Sequence, residues 1–456
     1  MKQTVVINVV GLTAKILEDK TLFISQWSSK GKQLATIDPV LPAVTCSAQT
    51  TYLTGKLPVD HGIIGNGWYN KELSEVQFWK QSNKLVQAPS LWDDARNLDP
   101  EFTCANMFWW YNMYSSVDYS VTPRPQYWAN GLKKPDCYCY PSALRDELQK
   151  ELGIFPLFNF WGPKTTIKSS QWIADASKYV HNKYDPTLQL IYLPHLDYCF
   201  QKYEYNSKEV QKDIKDLDTL LKDLISFYEN KNIIPIILSE YGISSVSKPI
   251  HLNRILRNQE LLNIRLENGK ELLDAGASKA FAVSDHQVAQ VYCLPHLENK
   301  VMTLLKSIEA IDEVLDKQEQ QKRGLWHYRS GNFMVVAKED AWFTYYYWLD
   351  DNKAPDFART VDIHKKPGYD PVEMFLNTKK RGVKLKIITK LLLKKIGFRV
   401  LFDMIPLNAE LIKGSHGRTN VSDSEKPIII AIGNEKKHLK AIEIKDVILS
   451  NIFGGI

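Results

Sequence analysis

Leu188-Gln189-Leu190-Ile191-Tyr192-Leu193 and Asn232-Ile233-Ile234-Pro235-Ile236-Ile237-Leu238 are two short, nearly continuous apolar runs. Neither alternates apolar with polar residues, so each reads as a strand buried on both faces, as in a parallel sheet. Between them, residues 207–230 are rich in charge but place Val210, Ile214, Leu217, Leu220, Leu221 and Leu224 at helical spacing. Strand, helix and strand at this distance make a βαβ unit. Working outward, the β-branched run at 4–10, closed by Gly11, and the run Pro427-Ile428-Ile429-Ile430-Ala431-Ile432 read as further strands of the same kind. The expected fold class is α/β: a doubly wound, mostly parallel sheet with helices on both faces.

The middle of the chain reads differently. Residues 250–410 hold the aromatic run Trp342-Phe343-Thr344-Tyr345-Tyr346-Tyr347-Trp348 and a polar, charged stretch at 312–323. The division expected from this is an α/β core over 1–245 and 411–435, an insertion or cap region over 246–410, and a C-terminal tail over 436–456.

The bulk properties bound the function. The chain has 456 residues, 58 basic and 52 acidic, for a net charge of +6. So mild an excess permits anionic ligands but does not indicate a nucleic-acid binder. The six cysteines show no disulfide framework, since only Cys137 and Cys139 lie close together. The opening apolar run is too short for a signal-peptide core, and no run reaches the length of a membrane span. These features give the expectation of a cytoplasmic protein with free thiols.

In open α/β sheets, reactive groups gather where strands end. Asp197 follows the run 188–193, Glu240 follows 232–238, and His416 in Gly414-Ser415-His416-Gly417 precedes 427–432. Brought together, such oxygen and nitrogen ligands suit zinc or a similar divalent cation. Taken one at a time, Asp and Glu at such positions also serve as helix caps. Thr45 has two readings as well. At a helix start its hydroxyl can cap the helix, or it can act as a nucleophile where free N–H groups and the dipole favour an anion.

Pro42-Ala43-Val44-Thr45-Cys46-Ser47-Ala48-Gln49-Thr50-Thr51-Tyr52-Leu53-Thr54-Gly55 runs into Lys56-Leu57-Pro58-Val59-Asp60-His61-Gly62-Ile63-Ile64-Gly65-Asn66. Its order of Thr, Thr-Gly, Pro, His-Gly-Ile and Gly-Asn resembles the nucleophile segment of the type I phosphodiesterase/nucleotide pyrophosphatase family, within the alkaline phosphatase superfamily. The resemblance implies an alkaline phosphatase-like core. It puts Thr45 on the nucleophile and Asn66 on the residue that helps hold the phosphoryl oxygen. It further implies a metal held by Asp197 and His416, with Gln201 where the family has a His. The second metal of the family would use an Asp where this chain has Val10, and an Asp-His pair where it has Glu240-Tyr241. Val10 cannot bind a cation, so one site is expected rather than two, held by Asp197 and His416 with Gln201, while Glu240 could still reach a cation near Thr45; zinc is the preferred ion. Asp197 and His416 should then lie within bridging distance of one ion, and Thr45 in the first turn of a helix, facing Asn66. Asp285, His286, Asp362 and His364 are the groups that could reach in from the insertion; His195 and His251 also lie near the site loops.

The implied reaction is metal-dependent hydrolysis of a phosphodiester or pyrophosphate in a small phosphorylated substrate, through Thr45. Two rivals stand beside it. One is a non-catalytic anion-binding protein on the same fold; the other is a one-metal hydrolase of a lipid phosphodiester or a phosphonate. Finally, Lys379–Arg399 holds nine Lys or Arg and no acid among apolar residues at helical spacing. It reads either as a solvated helix with one buried face, or as a contact for anionic lipid head groups or the substrate's phosphates.

Overall fold

A computed structural model describes residues 1–377, 383–432 and 436–454. Residues 379–382 of the basic stretch, and Gly433, lie outside the described residues. The N-terminal half supplies β1 (Thr4–Val9), β2 (Gln33–Asp38), α1 (Thr45–Thr54), β3 (Cys104–Met107), β4 (Tyr119–Pro123) and β5 (Cys137–Tyr140). Then come α2 (Lys168–Tyr184), β6 (Leu188–Leu193), α3 (His195–Lys202), α4 (Lys208–Glu229) and β7 (Ile236–Leu238). The later part supplies β8 (Ala280–Asp285), β9 (Val288–Cys293), β10 (Ile311–Leu315), β11 (Phe333–Ala337), α5 (Val383–Lys395), β12 (Ile428–Ala431), β13 (His438–Lys440) and α6 (Ile444–Phe453).

Among the described residues, nine strands form the main sheet in the order β13-β2-β12-β7-β1-β6-β3-β4-β5. β1 sits at its centre, paired in parallel with β6 and β7. All six residues of β1 are buried, as are all six of β6. Burying a large aliphatic side chain contributes on the order of 1.5–3 kcal/mol, so two such strands anchor the core. α4 begins at Ser207, whose Oγ accepts from the Val210 N–H, and it buries the apolar stripe read from the sequence, extended by Ile225 and Tyr228. α2 packs on β6 and β3, and α6 on β1.

Three strand expectations shift. β7 begins only after Pro235, which has no N–H to give to a ladder. β6 and β7 are not neighbours, because β1 lies between them. The run at 427–432, which resembles the parallel strands in composition, enters antiparallel to both β7 and β2. Burial on both faces dictates the apolar content, whichever way the strand runs.

Of the segment 436–456, expected as a tail, residues 436–454 are built into the main sheet and its core. β13 pairs in parallel with β2, and Ile444, Ile448 and Ile452 of α6 join the main buried cluster. A second buried cluster draws on residues 246–412 together with Phe78. Its frame is the antiparallel sheet β8-β9-β11-β10, and the aromatic run 342–348 lies wholly buried within it.

Candidate active site

Thr45 is the first residue of α1, next to the carboxyl ends of β1, β6 and β7. It is 5% exposed. The capping reading of Thr45 does not hold, because α1 has no side-chain cap and the Thr45 hydroxyl turns to Tyr241 instead, with Oγ1 and Oη 2.9 Å apart. The next residue, Cys46, donates its N–H to Asn66 Oδ1 at 3.0 Å. Asn66 is fixed from the other side by Asp285, which accepts from the Asn66 backbone N–H at 2.8 Å and from Nδ2 at 3.0 Å. One of the two amide hydrogens on Nδ2 remains for another acceptor.

Asp197 lies in the first turn of α3 rather than in a loop. His416 follows Gly414-Ser415, a two-residue strand paired with Ser244–Ser245. The backbone there passes so close to α3 that a Cβ on Gly414 would meet Phe200 O at 2.3 Å, and Gly417 has φ +124, a conformation side chains rarely adopt. His416 Nε2 thereby comes within 3.5 Å of Asp197 Oδ1. Its other nitrogen, Nδ1, lies 2.8 Å from the Ala43 carbonyl, which fixes the proton on Nδ1 and leaves Nε2 as a lone pair. Buried Nε2 has no hydrogen-bond partner. Burial drives the Asp197 carboxyl up to about 7 and His416 down to about 3. Both directions favour neutral groups, so the 3.5 Å contact is not an ion pair in the absence of a cation.

Two ligands of one zinc at 2.0–2.2 Å from the metal in tetrahedral array stand roughly 3.4 Å apart. The spacing of Asp197 Oδ1 and His416 Nε2, and the orphaned lone pair, fit one ion. Where the family resemblance puts a second ion, the lining is different. Val10 is buried and apolar where a carboxylate would be needed. Glu240 Oε1 accepts from Asn8 Nδ2 at 2.6 Å and from Gln49 Nε2. Its Oε2 is unpaired, and burial pushes the carboxyl up to about 8. Among the described residues no group of three or more His, Cys, Asp or Glu converges to hold a metal. Gln201 is engaged at both ends: Nε2 donates to Asp197 Oδ2 at 2.9 Å, and Oε1 accepts from Tyr369 Oη at 2.8 Å. It stands as an orienting group behind Asp197, not beside it.

The insertion reaches the site through one tight turn. β8 and β9 are joined by His286 and Gln287, with His286 at φ +61, as a two-residue hairpin requires. Asp285 braces Asn66, and the His286 ring lies between Tyr369 at 3.6 Å and His416 at 3.7 Å. Tyr241 stacks on the far side of His416 at 3.7 Å with an interplanar angle of 8°. Four rings thus form one column through the site. Asp362 and His364 do not reach it: the Asp362 carboxylate lies 3.6 Å from Lys365, and His364 faces the Phe78 carbonyl. His251 meets Thr344, and His195 lies 3.5 Å from Asp213. Gln49, Tyr369 and Tyr192, whose hydroxyl bonds the Thr45 side chain, were missed in the sequence. Gln49 had a legible signal, since it stands four residues after Thr45 on the same helix face. Tyr192 and Tyr369 had none, because their places depend on tertiary packing.

Similarity to known proteins extends over most of the chain. The family model for type I phosphodiesterase/nucleotide pyrophosphatase matches residues 4–370. A relative from Schizosaccharomyces pombe, an uncharacterized pyrophosphatase/phosphodiesterase, is 22% identical over 299 residues, which is 64% of this chain and 52% of that protein. The chain therefore spans about half the length of that curated relative. Human ectonucleotide pyrophosphatase/phosphodiesterase 5 shares the fold, with a TM-score of 0.60 at 12% identity, over 99% of this chain and 95% of that one. An inactive murine form of the same protein, in complex with AMP, gives 0.59 at 13% identity, over 99% and 95%. Phosphonoacetate hydrolase from Sinorhizobium meliloti, in complex with phosphonoformate, gives 0.58 at 13% identity, over 99% and 96%.

Proposed function

Since the chain belongs to the type I phosphodiesterase/nucleotide pyrophosphatase family, a family of hydrolases, we propose that it hydrolyses a phosphodiester or pyrophosphate bond in a small phosphorylated substrate, with Thr45 as nucleophile. The observation that carries this reading is the lone pair of His416 Nε2 held 3.5 Å from Asp197 Oδ1, beside a helix that starts at Thr45. Asp197 and His416 would hold one divalent cation, zinc in preference, with Gln201 fixing the Asp197 carboxylate and Glu240 facing Thr45. When bound, the cation supplies positive charge to the phosphoryl oxygens.

The residues of the chain divide the work. Thr45 Oγ1 attacks phosphorus in line with the leaving oxygen, giving a phosphothreonine, and water later attacks phosphorus to release it. The free hydrogen on Asn66 Nδ2 and the N-terminal N–H groups of α1 meet the charge that builds on the equatorial oxygens. Asp285 holds Asn66 in place for this. Residues 246–410 act as the cap that supplies Asp285 and His286.

A second reading, a protein that binds phosphate groups without turning them over, has its own support. Thr45, Asn66, Asp197, Glu240 and His416 are all buried, and the second cation site is replaced by Val10 and Tyr241. A one-metal hydrolase of a phosphonate or a lipid phosphodiester is the third. Turnover of bis(p-nitrophenyl) phosphate, a dinucleotide pyrophosphate and phosphonoacetate by zinc-loaded protein separates the three. Release of nitrophenol or nucleotide that depends on Thr45 supports the first reading. Tight phosphate binding with no product from any of the three supports the second, and product from phosphonoacetate alone supports the third.

A further inference from the structure

The surface helix α5 is turned the wrong way round for a soluble protein. A surface helix ordinarily buries its apolar stripe and shows its charges to water. Among the described side chains of α5 the half-buried ones are Ile387, Lys390 and Lys394, which share one face. Lys390 Nζ bonds to the Asp403 carboxylate and the Leu401 carbonyl, and Lys394 Nζ lies 5.2 Å from the Phe402 ring. The opposite face carries Leu385, Ile388, Leu392 and Ile396, at 68%, 54%, 59% and 70% exposure. At 100° per residue these four fall within one stripe, and Phe398, just past the helix end, is also exposed at 61%.

A second element, far away in sequence, adds to the same end of the helix. Arg399 donates to the Ala129 carbonyl at 3.0 Å, which places the turn of the short hairpin Gln126–Tyr127 and Lys133–Lys134 beside the helix terminus. That hairpin exposes Tyr127 and Trp128, each with a lysine over its ring, Lys133 at 5.8 Å and Lys134 at 3.8 Å. Apolar side chains beside amphipathic aromatic rings and lysines are the composition of a membrane–water interface.

We infer that α5 and the 126–134 hairpin form a docking surface for an anionic lipid bilayer, on which the protein lies without crossing. A helix of 13 residues is too short to span, and no helix among the described residues is long and apolar enough to cross a membrane. Charge selects the occupant. Lys395 and Arg399 are exposed beside the stripe, and Lys133 and Lys134 lie on the hairpin, so a second copy of the same face would meet it with like charge, whereas phosphatidylserine or phosphoinositide head groups meet it with opposite charge. This inference is independent of the chemistry assigned to Thr45.

Flotation of the full chain with phosphatidylcholine vesicles, with and without about 30% phosphatidylserine, tests it. Binding to the anionic vesicles should be at least about 10-fold tighter than to the neutral ones, and should fall at least about 10-fold in 0.5 M salt. The double variant Ile388→Glu/Leu392→Glu changes only exposed positions. It should melt with the parent and lose vesicle binding at least about 10-fold. No binding, equal binding to neutral vesicles, or a concentration-dependent dimer that the double variant abolishes without any vesicle binding would each overturn the inference.

Discussion

The two halves of the candidate site are held together in different ways. On the Thr45 side, the helix start, the Cys46 N–H on Asn66 and the Asp285 brace form a complete, mutually hydrogen-bonded unit. On the cation side, Val10, Gln201 and Tyr241 stand where the family resemblance puts an aspartate and two histidines. The difference lies in how the remaining buried carboxylates are compensated. Asn8 and Gln49 aim amide hydrogens at Glu240, and Tyr241 covers His416 with a parallel ring. Amide dipoles take over part of the compensation that an ion would provide, and the carboxyls that remain rise in pKa because that compensation is incomplete.

The sharpest test of the contrast is Thr45→Ala. If the Thr45 side is the intact, working half, removing one hydroxyl should lower turnover by at least about 10³-fold, since the covalent step is lost. The melting temperature should stay within a few degrees, because Tyr241, which meets the hydroxyl, keeps Asp197 Oδ1 as a second partner at 3.5 Å. Retained turnover would move the nucleophile elsewhere and leave Thr45 as packing.

The cation side answers to metal analysis. The parent should bind one equivalent of zinc, and His416→Ala should bind none. Gln201→Ala should weaken zinc by about 10–100-fold without abolishing it, as expected of a group that orients a ligand from behind. Two equal, tight sites would mean that other groups complete the second one. Complete loss in Gln201→Ala would make Gln201 a direct ligand.

Much of the Thr45 half was legible in the sequence, because it lies in one continuous segment whose spacing survives: Thr45, Gly55, His61 and Asn66 are read off in a row. The strands β1 and β6 were legible for a similar reason, since burial on both faces leaves an unbroken apolar run. The cation half was harder to read. Asp197 and His416 meet only because Gly414 lets the backbone pass against α3. The stack of Tyr241, His416, His286 and Tyr369 joins four separate segments. No local period encodes such a column. Likewise, the sequence showed that α5 was amphipathic and basic, but not which face would be turned outward; that depended on Lys390 finding Asp403. The antiparallel entry of β12 was invisible because composition reports burial and not direction.

The smallest effect expected is on stability against pH, and its sign follows from the site. In the metal-free protein, burial holds Asp197 and Asp285 up to about 7 and Glu240 up to about 8. Their unfolded values lie near 4. The folded state therefore keeps protons that the unfolded chain releases, and the stability these groups contribute is present below about pH 4 and lost as pH rises through 7–8. The buried histidines act in the opposite sense but in a lower window. His61 and His416 are held down to about 3, so they favour unfolding only below the unfolded histidine value of about 6.5. Between pH 6.5 and 8 the carboxyls act alone, and stability should fall, on the order of 1 kcal/mol per pH unit. Calorimetric melting at half-unit steps would measure it. Zinc should flatten the slope by holding Asp197 ionised. Asp285→Asn, which keeps an acceptor for the Asn66 N–H, should flatten it without zinc, because it removes one titration from the Thr45 side and leaves the cation side untouched. A melting temperature that stays level or rises from pH 6.5 to 8 in chelator would mean that these carboxyls are ionised in the fold, and that Asn8, Gln49 and Asn66 compensate them as fully as a cation would.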